Sequence, residues 1–438
     1  MPLNTSGPIS LAGTTDGQSI ALELGESATG TISLNDSDVR DLAGVASGAI
    51  VMPTNFYGAS SGPTLSLGSP QSTGITGTSY TAMEYDSYRD RLILFYGKFP
   101  SIGLFAKTAT ISGTSVSYAA ETTIWNNNSS SAVDIGVTYR FSDECAVVFW
   151  KEYNNNGRGL VTTVRVNSSG IPSRGATAAF NSGTDEITIF PGNVASIGDD
   201  ISFVVYRNND NSQYGEMQAS SASFSSVSNY NTVVFNSAAT SYASTAYGIN
   251  GTALVAYTDG GNSDKGTAKV ASITSQPTFG SAVIYSDAQT EFNCVAYVPF
   301  FSSDSGTQGN KYVVIYETGN DLKARVGTIS GTSVSFGTEV IVDTKYTTAF
   351  SMSASWNPDD KVLIVSWEDR QTSGNNGKVA IGTIDGTDIS FSGLATFESG
   401  NVNYTSQVYD PDTDQTLIAY VDVDDSNTPK VLTANVAT

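Results

Sequence analysis

The chain contains no histidine. That removes the side chain most often used for proton transfer near neutral pH, and with it the His-based nucleophile triads and the commonest zinc-ligand sets. Two cysteines, Cys145 and Cys294, are too few for a disulfide framework and lack metal-type spacing, so both are expected as buried free thiols. Positive charge is scarce: 21 Lys and Arg stand against 42 Asp and Glu, a net charge of −21. Nucleic acid and anionic membrane surfaces would repel such a chain, so neither is an expected partner. No run approaches 18 apolar residues, which excludes an inserted helix. The opening MPLNTSGPIS has neither a basic start nor an apolar export core, so synthesis and folding in a cytoplasm are expected. Nucleophile elbows and phosphate-cradling glycine loops are also missing.

What is present is a repeat. The hydrophobic strand LILFY (92–96) returns as CAVVFW (145–150), ISFVVY (201–206), TALVAY (252–257), YVVIY (312–316), VLIVSW (362–367) and TLIAY (416–420). Each ends in an aromatic ring: Tyr96, Trp150, Tyr206, Tyr257, Tyr316, Trp367 and Tyr420. Successive rings are 54, 56, 51, 59, 51 and 53 residues apart, a period at which one unit cannot bury its own apolar face. Because the ring recurs in every unit, a wedge between neighbouring units is the expected role rather than a sugar platform.

Four strand signals per unit and no helical stretches point to propeller blades. In the first unit these are TAMEY (81–85), LILFY, GLFAKTATI (103–111) and VSYAAETTIW (116–125). The last two are joined by ISGTSVS (111–117), which recurs at 329–335 and as IDGTDIS (384–390), a tight-turn signal. The seventh unit stops one strand short, and the lone strand TLSLG (64–68) precedes the first. An all-β, seven-bladed β-propeller spanning 59–438, closed by pairing that N-terminal strand into the last blade, removes the exposed edges.

Loops then sort onto two faces. One carries short turns, DSYRD (86–90), NPDD (357–360) and DPDTD (410–414), whose Asp and Pro are turn formers rather than calcium ligands. The other carries NNNSSSA (126–132), YNNNGR (153–158), RNNDNSQ (207–213), TDGGNSDKG (258–266), DRQTSGNNG (369–377) and DVDDSNT (422–428). Binding is expected on this elaborated face, with Tyr153, Asn155, Arg158, Asn209, Asn211, Asp264, Arg370 and Asn375 as contact residues.

Residues 1–58 stand outside the repeat. QSIALELG (18–25) alternates like a strand. ISLNDSDVRDLAGV (32–45) has a helix start at Asn35-Asp36-Ser37 and a C-cap at Gly44, and SGAIVMPTNFYG (47–58) returns to extended chain. So few apolar residues suggest no independent core. Ile32, Leu34, Val39, Leu42, Ile50, Met52, Phe56 and Tyr57 are therefore expected to need a partner surface. The order SGPISL … ISLNDSDVRDLAGVASGAI … NFYG resembles the N-terminal segment of virion structural, tail-fibre-like proteins of tailed bacteriophages. The resemblance covers about 55 residues. It implies a docking module that fixes the chain to other virion proteins in several copies per particle, and hence a place in the virion.

The expected protein is thus a non-enzymatic phage virion component displaying a propeller for attachment to a host-surface glycan. No cofactor or metal is expected. The alternatives are a purely structural head, neck or tail decoration protein, and a tailspike-like glycoside hydrolase. The last would draw carboxylates from Asp134, Glu186 and Glu291, near the starts of inner strands.

Overall fold

The computed structural model describes the chain outside residues 1–2, 5, 16–17, 25, 30, 46, 58–62, 100–101, 127–129, 155–156, 182–186, 198–200, 249–250, 302–307, 345–350, 372–373 and 438. For residues 41, 187–197, 300–301, 308–310 and 371 it describes backbone alone. The chain divides into two compact units, residues 1–64 with 437–438, and residues 65–436. The expected linker, 58–62, lies outside the described residues.

In the small unit, the strand expected over 18–25 is instead a helical turn, Ile20–Glu23. Ser19 caps it by accepting the Leu22 N–H at 3.3 Å. Ile20 and Ala21 are both fully buried, which suits a helix against a core and not an alternating strand. The second helix, Ser37–Leu42, forms where its start signal lies, and Gly44 takes the left-handed conformation beyond it (φ 65°). The last segment is a 3₁₀ turn, Thr54–Phe56, rather than extended chain, with the Val51 N–H donating to Asn55 Oδ1 at 2.7 Å. Leu3, Ile20, Val39, Ala43 and Phe56 form a core, and Ile32, Leu34, Leu42, Ile50 and Met52 pack against it. The expectation that so few apolar residues form no core of their own is therefore corrected, while Ile32, Leu34, Leu42, Ile50 and Met52 stay partly exposed around that core. Of the eight expected to need a partner surface, Tyr57 is the one classed as exposed, and its hydroxyl donates to the Gly7 carbonyl at 2.9 Å.

The large unit is all-β and propeller-like. Its repeats are antiparallel meanders, such as Ala132–Arg140, Cys145–Glu152, Gly159–Val166 and Pro172–Ala179 in spatial order. The first strands follow one another around a ring: Thr78–Asp86, Ala132–Arg140, Ile187–Ile197, the latter half of Val233–Tyr247, Glu291–Phe301, Met352–Asn357 and Val402–Asp410. The last of these lies beside the first. The strand Thr64–Leu67 pairs with Thr428–Ala437, completing the C-terminal meander as the missing-strand count requires. Gly68 N–H donates to the Thr433 carbonyl at 2.9 Å, and Gln71 and Ser72 continue opposite Val431 and Lys430.

All seven recurring rings are buried, at most 1% exposed, as wedges should be. Four tyrosine hydroxyls find carboxylate acceptors: Tyr96 donates to Glu121 (2.7 Å), Tyr206 to Glu216 (2.9 Å), Tyr316 to Glu339 (2.6 Å) and Tyr420 to Glu398 (2.9 Å). This pairing explains a departure from expectation. The outer strand expected over 116–125 is broken into Ser115–Tyr118 and Thr122–Trp125, and the fifth repeat breaks likewise between Phe336 and Val340. Glu121 and Glu339 lie in the breaks, where the chain leaves the pleat and the carboxylate can meet a buried phenol. Cys145 and Cys294 are free and buried, and burial pushes their thiols up to about 11 and about 12.

Neighbouring first strands are not paired in a sheet, so half of their N–H groups point away from their own meander. Serines in, or just before, the preceding first strand of the ring receive some of them. Met83 N–H donates to Ser406 Oγ (3.2 Å), Val295 to Ser244 (3.0 Å), Thr405 to Ser351 (2.9 Å) and Gln407 to Ser353 (3.1 Å). Further out the repeats meet closely. A Cβ on Gly337 would collide with the carbonyl of Thr387 in the next hairpin turn, where Gly386 takes φ 58°.

Replacing Ser244 by Ala leaves the buried Val295 N–H unpaired. It is expected to lower unfolding free energy by about 1–3 kcal/mol. Urea unfolding of the intact chain checks this, and an unchanged midpoint would remove the serine stitch as a stabilising element.

Candidate functional site at the channel mouth

The first strands surround a channel whose central cavity is about 350 Å³, lined among others by Thr81, Met83, Ile135, Val137, Val295 and Ser406. Antiparallel order places the elaborated loops at the end where these strands begin. There the strands are bulged, with register shifts between Ser79 and Thr81, Val133 and Gly136, Ser241 and Ser244, Glu291 and Cys294, and Asn403 and Ser406. At each bulge one residue lies in the left-handed region: Tyr80 (φ 56°), Asp134 (51°), Tyr242 (51°), Phe292 (47°) and Tyr404 (55°). Such a conformation costs a bulky residue about 1–3 kcal/mol and re-aims its side chain.

The re-aimed rings meet in pairs. Tyr80 and Tyr404 have centroids 4.4 Å apart, and so do Tyr242 and Phe292. All four are half-buried. They form an aromatic collar that sequence reasoning missed. Its signal was present, since Tyr80 and Asp134 are 54 residues apart, one repeat, but aromatic residues at strand starts read as ordinary strand formers.

Charge surrounds the collar. Asp134 lies 3.8 Å from Lys151 Nζ. Burial pushes the Glu368 carboxyl up to about 7, against the opposing pull of Arg370, whose Nε donates to it at 2.7 Å. Tyr80 and Tyr404 are both raised, burial being the main cause.

The expected contact residues fare unevenly. Tyr153 is 57% exposed, and its ring meets that of Phe99, itself 53% exposed, edge to face at 6.0 Å. Phe99 was not foreseen, because it sits in a loop short of polar residues. Arg158 is turned inward, bonding the fully buried Glu152 through both Nε (2.7 Å) and an Nη (2.6 Å). Asn211 donates to Glu216 at 2.8 Å, and Asn209 accepts from Arg207 at 2.6 Å. Arg370 and Asn375 are not loop residues: they face each other across a hairpin that narrows to Gln371 opposite Gly374. Asp264 occupies a left-handed turn position (φ 57°), and its carbonyl accepts from Thr290. Asn155 lies outside the described residues. The asparagine and aspartate richness of these loops is thus largely turn chemistry. Asn208 Oδ1 accepts from the N–H groups of residues 210 and 211, and Asp422 Oδ1 from those of 424 and 425.

Of the carboxylates considered for hydrolysis, Asp134 is in the collar and Glu291 immediately precedes Phe292. Two first strands separate theirs around the ring. Glu186 lies outside the described residues. Among the described residues no group of three or more Cys, Asp or Glu could hold a metal ion.

No family model matches the chain, and no curated protein matches it. Solved structures do. A candidate 6-phosphogluconolactonase from Bacteroides uniformis is 12% identical over 78% of this chain and 92% of its own, with a TM-score of 0.50. AofleA from Arthrobotrys oligospora is 9% identical over 78% and 92%, with a TM-score of 0.46. The Dos1 propeller is 12% identical over 84% and 95%, also at 0.46. Identities this low speak to the propeller-like fold alone.

The raised Glu368 carboxyl makes stability depend on pH. Its folded value of about 7 exceeds the ordinary 4.5, so between these the folded protein binds the proton more tightly than the unfolded chain. Its stabilising contribution is present below about pH 4.5 and lost as pH rises through about 7. Glu368→Gln is expected to flatten the fall in stability across that window. Urea midpoints at intervals from pH 4.5 to 8 test it, and parallel curves for both proteins would contradict it.

Proposed function

We propose that the protein is a virion component of a tailed phage. In this reading a seven-bladed propeller, closed by the strand at 64–67, binds a host-surface glycan through its elaborated face, and the N-terminal unit fixes it to the particle. The observation that carries the glycan reading is the Phe99–Tyr153 pair. These two large rings from loops of neighbouring repeats are each more than half exposed, where water should be excluded only by a ligand. Sugars offer apolar faces that stack on such rings, and many copies on one particle make weak contacts effective. The net charge of −21 favours a neutral glycan over an acidic one.

The resemblance of residues 1–58 to phage docking segments supports the virion reading. So does their own compact core, which makes them a separable module. A specific observation also favours the decoration alternative. Val234, Ile284, Ile341 and Leu394, on outer strands of successive repeats, are 40–53% exposed and would suit packing against neighbours.

Glycan-array binding by the whole chain is expected, with Phe99→Ala and Tyr153→Ala each lowering affinity about tenfold. Binding indifferent to both substitutions would end the platform reading. Deleting residues 1–58 is expected to abolish incorporation into particles while leaving glycan binding intact. Normal incorporation of the shortened chain would refute the docking role.

A further inference from the structure

We propose that the opposite mouth of the channel, where the first strands end among the short turns, binds an organic cation of the trimethylammonium type. A cavity of about 520 Å³ opens there, walled by Tyr85, Tyr139, Phe141, Tyr247 and Tyr409, with Glu84 as the carboxylate among its lining residues. The walls come from three adjacent first strands or their ends and from Tyr247 on another first strand of the ring.

Three of the rings are held by their hydroxyls. Tyr85 shares its one hydroxyl proton between Asp90 (2.5 Å) and Asp412 (2.9 Å), Tyr139 donates to Asp86 (2.6 Å), and Tyr409 shares its proton between Asp359 (2.7 Å) and Asp414 (3.0 Å). A phenol that donates to a carboxylate is fixed in orientation, and its ring gains electron density, so its face attracts a cation more strongly. Those hydroxyls are then engaged by acids and unsuited to receiving an anion. Phe141, 58% exposed and edge to face with Tyr139 at 5.4 Å, stands at the rim.

Glu84 completes the chemistry. One of its oxygens accepts the Tyr85 N–H at 3.1 Å, and among the described residues no basic side chain lines the cavity with it. Burial pushes its carboxyl up to about 7, with no charged partner opposing the shift. A bare metal ion would need about six or more converging oxygens, whereas Glu84 is the one carboxylate among the described lining residues and the rest of their side-chain oxygens are hydroxyls, three of them already donating to aspartates. An anionic or zwitterionic ligand would meet the aspartates that hold the tyrosines. A cation clad in methyl groups satisfies both the carboxylate and the rings.

Calorimetric titration of the intact chain with choline at pH 8 tests this, beside the neutral isostere 3,3-dimethylbutan-1-ol and phosphocholine. Saturable choline binding is expected in the millimolar range or tighter, with both comparators at least tenfold weaker, about 1.4 kcal/mol. Glu84→Gln, which keeps the size of the side chain, should weaken choline about tenfold without lowering the unfolding midpoint at pH 8, and the exposed Phe141→Ala should weaken it several-fold at an unchanged midpoint. Affinity should fall as pH drops through about 7, where Glu84 takes up a proton. The other titratable and charged groups facing the cavity or holding its walls are Tyr85, Tyr139, Tyr247 and Tyr409 with Asp86, Asp90, Asp359, Asp410, Asp412 and Asp414, and Arg89, which pairs with Asp86. Of these, Tyr85, Tyr139 and Tyr409 are raised by burial and by their aspartates and stay neutral. No saturable choline binding, equal binding of the neutral isostere, tighter binding of phosphocholine, or indifference to Glu84→Gln would each overturn the proposal.

Discussion

The backbone of the innermost strands has nowhere to pair on its channel side, and the rest of the structure depends on how that is resolved. In a flat sheet an unpaired edge recruits another strand. Here the edges face each other around a ring, too far apart for a ladder, and serine hydroxyls bridge the gap. Ser244, Ser351, Ser353 and Ser406 each take an N–H from the neighbouring first strand. A longer side chain would force the strands apart, and an apolar one would leave a buried donor unmet. This is a physical reason for serine at these four positions. It also leaves the channel narrow and polar-walled, with its two ends free to diverge.

Satisfying buried polar groups likewise governs what lies outside the ring. The wedge tyrosines bring hydroxyls into the interior, and Glu121 and Glu339 follow them inward at the cost of broken outer strands. The carboxylates at the ends of second strands, Glu152 and Glu368, are fully buried and draw Arg158 and Arg370 down onto themselves. Side chains that look available in a loop sequence are therefore occupied. The large apolar side chains that remain exposed among the described residues of that face include Phe99 and Tyr153, and this moves the candidate platform from polar loops to rings.

The repeat was legible because every unit solves one packing problem in the same order. The ring spacing, the Gly-led hairpins with Gly113, Gly331 and Gly386 at φ 58–61°, and the orphan strand at 64–68 all carried that regularity. The small unit was read less well. QSIALELG alternates, yet Ser19 and a core on one side turn its centre into a helix, a tertiary preference that overrides a two-residue pattern. Its apolar residues looked too few because they are spread along the sequence, and folding gathers Leu3, Ile20, Val39 and Phe56 into one cluster. The loop sites were over-read for a different reason. Asparagine and aspartate serve turns as readily as ligands, and it is the folded turn that brings N–H groups to Asn208 and Asp422.

The two mouths of the channel differ in a way that follows from strand direction. Where the first strands begin, bulges with left-handed residues turn rings sideways into pairs, and Tyr80 stacks on Tyr404. Where they end, the chain enters four-residue turns whose aspartates cap backbone N–H groups, as Asp410 does for Asp412. Those same turns supply the acceptors for Tyr85, Tyr139 and Tyr409. Acidic turns are thus a consequence of short connections, and rings tied to acids are a consequence of acidic turns. One end of the ring becomes a set of paired rings beside elaborated loops, and the other an electron-rich pocket around a single carboxylate. The asymmetry needs no separate design: it is the difference between how a first strand starts and how it stops.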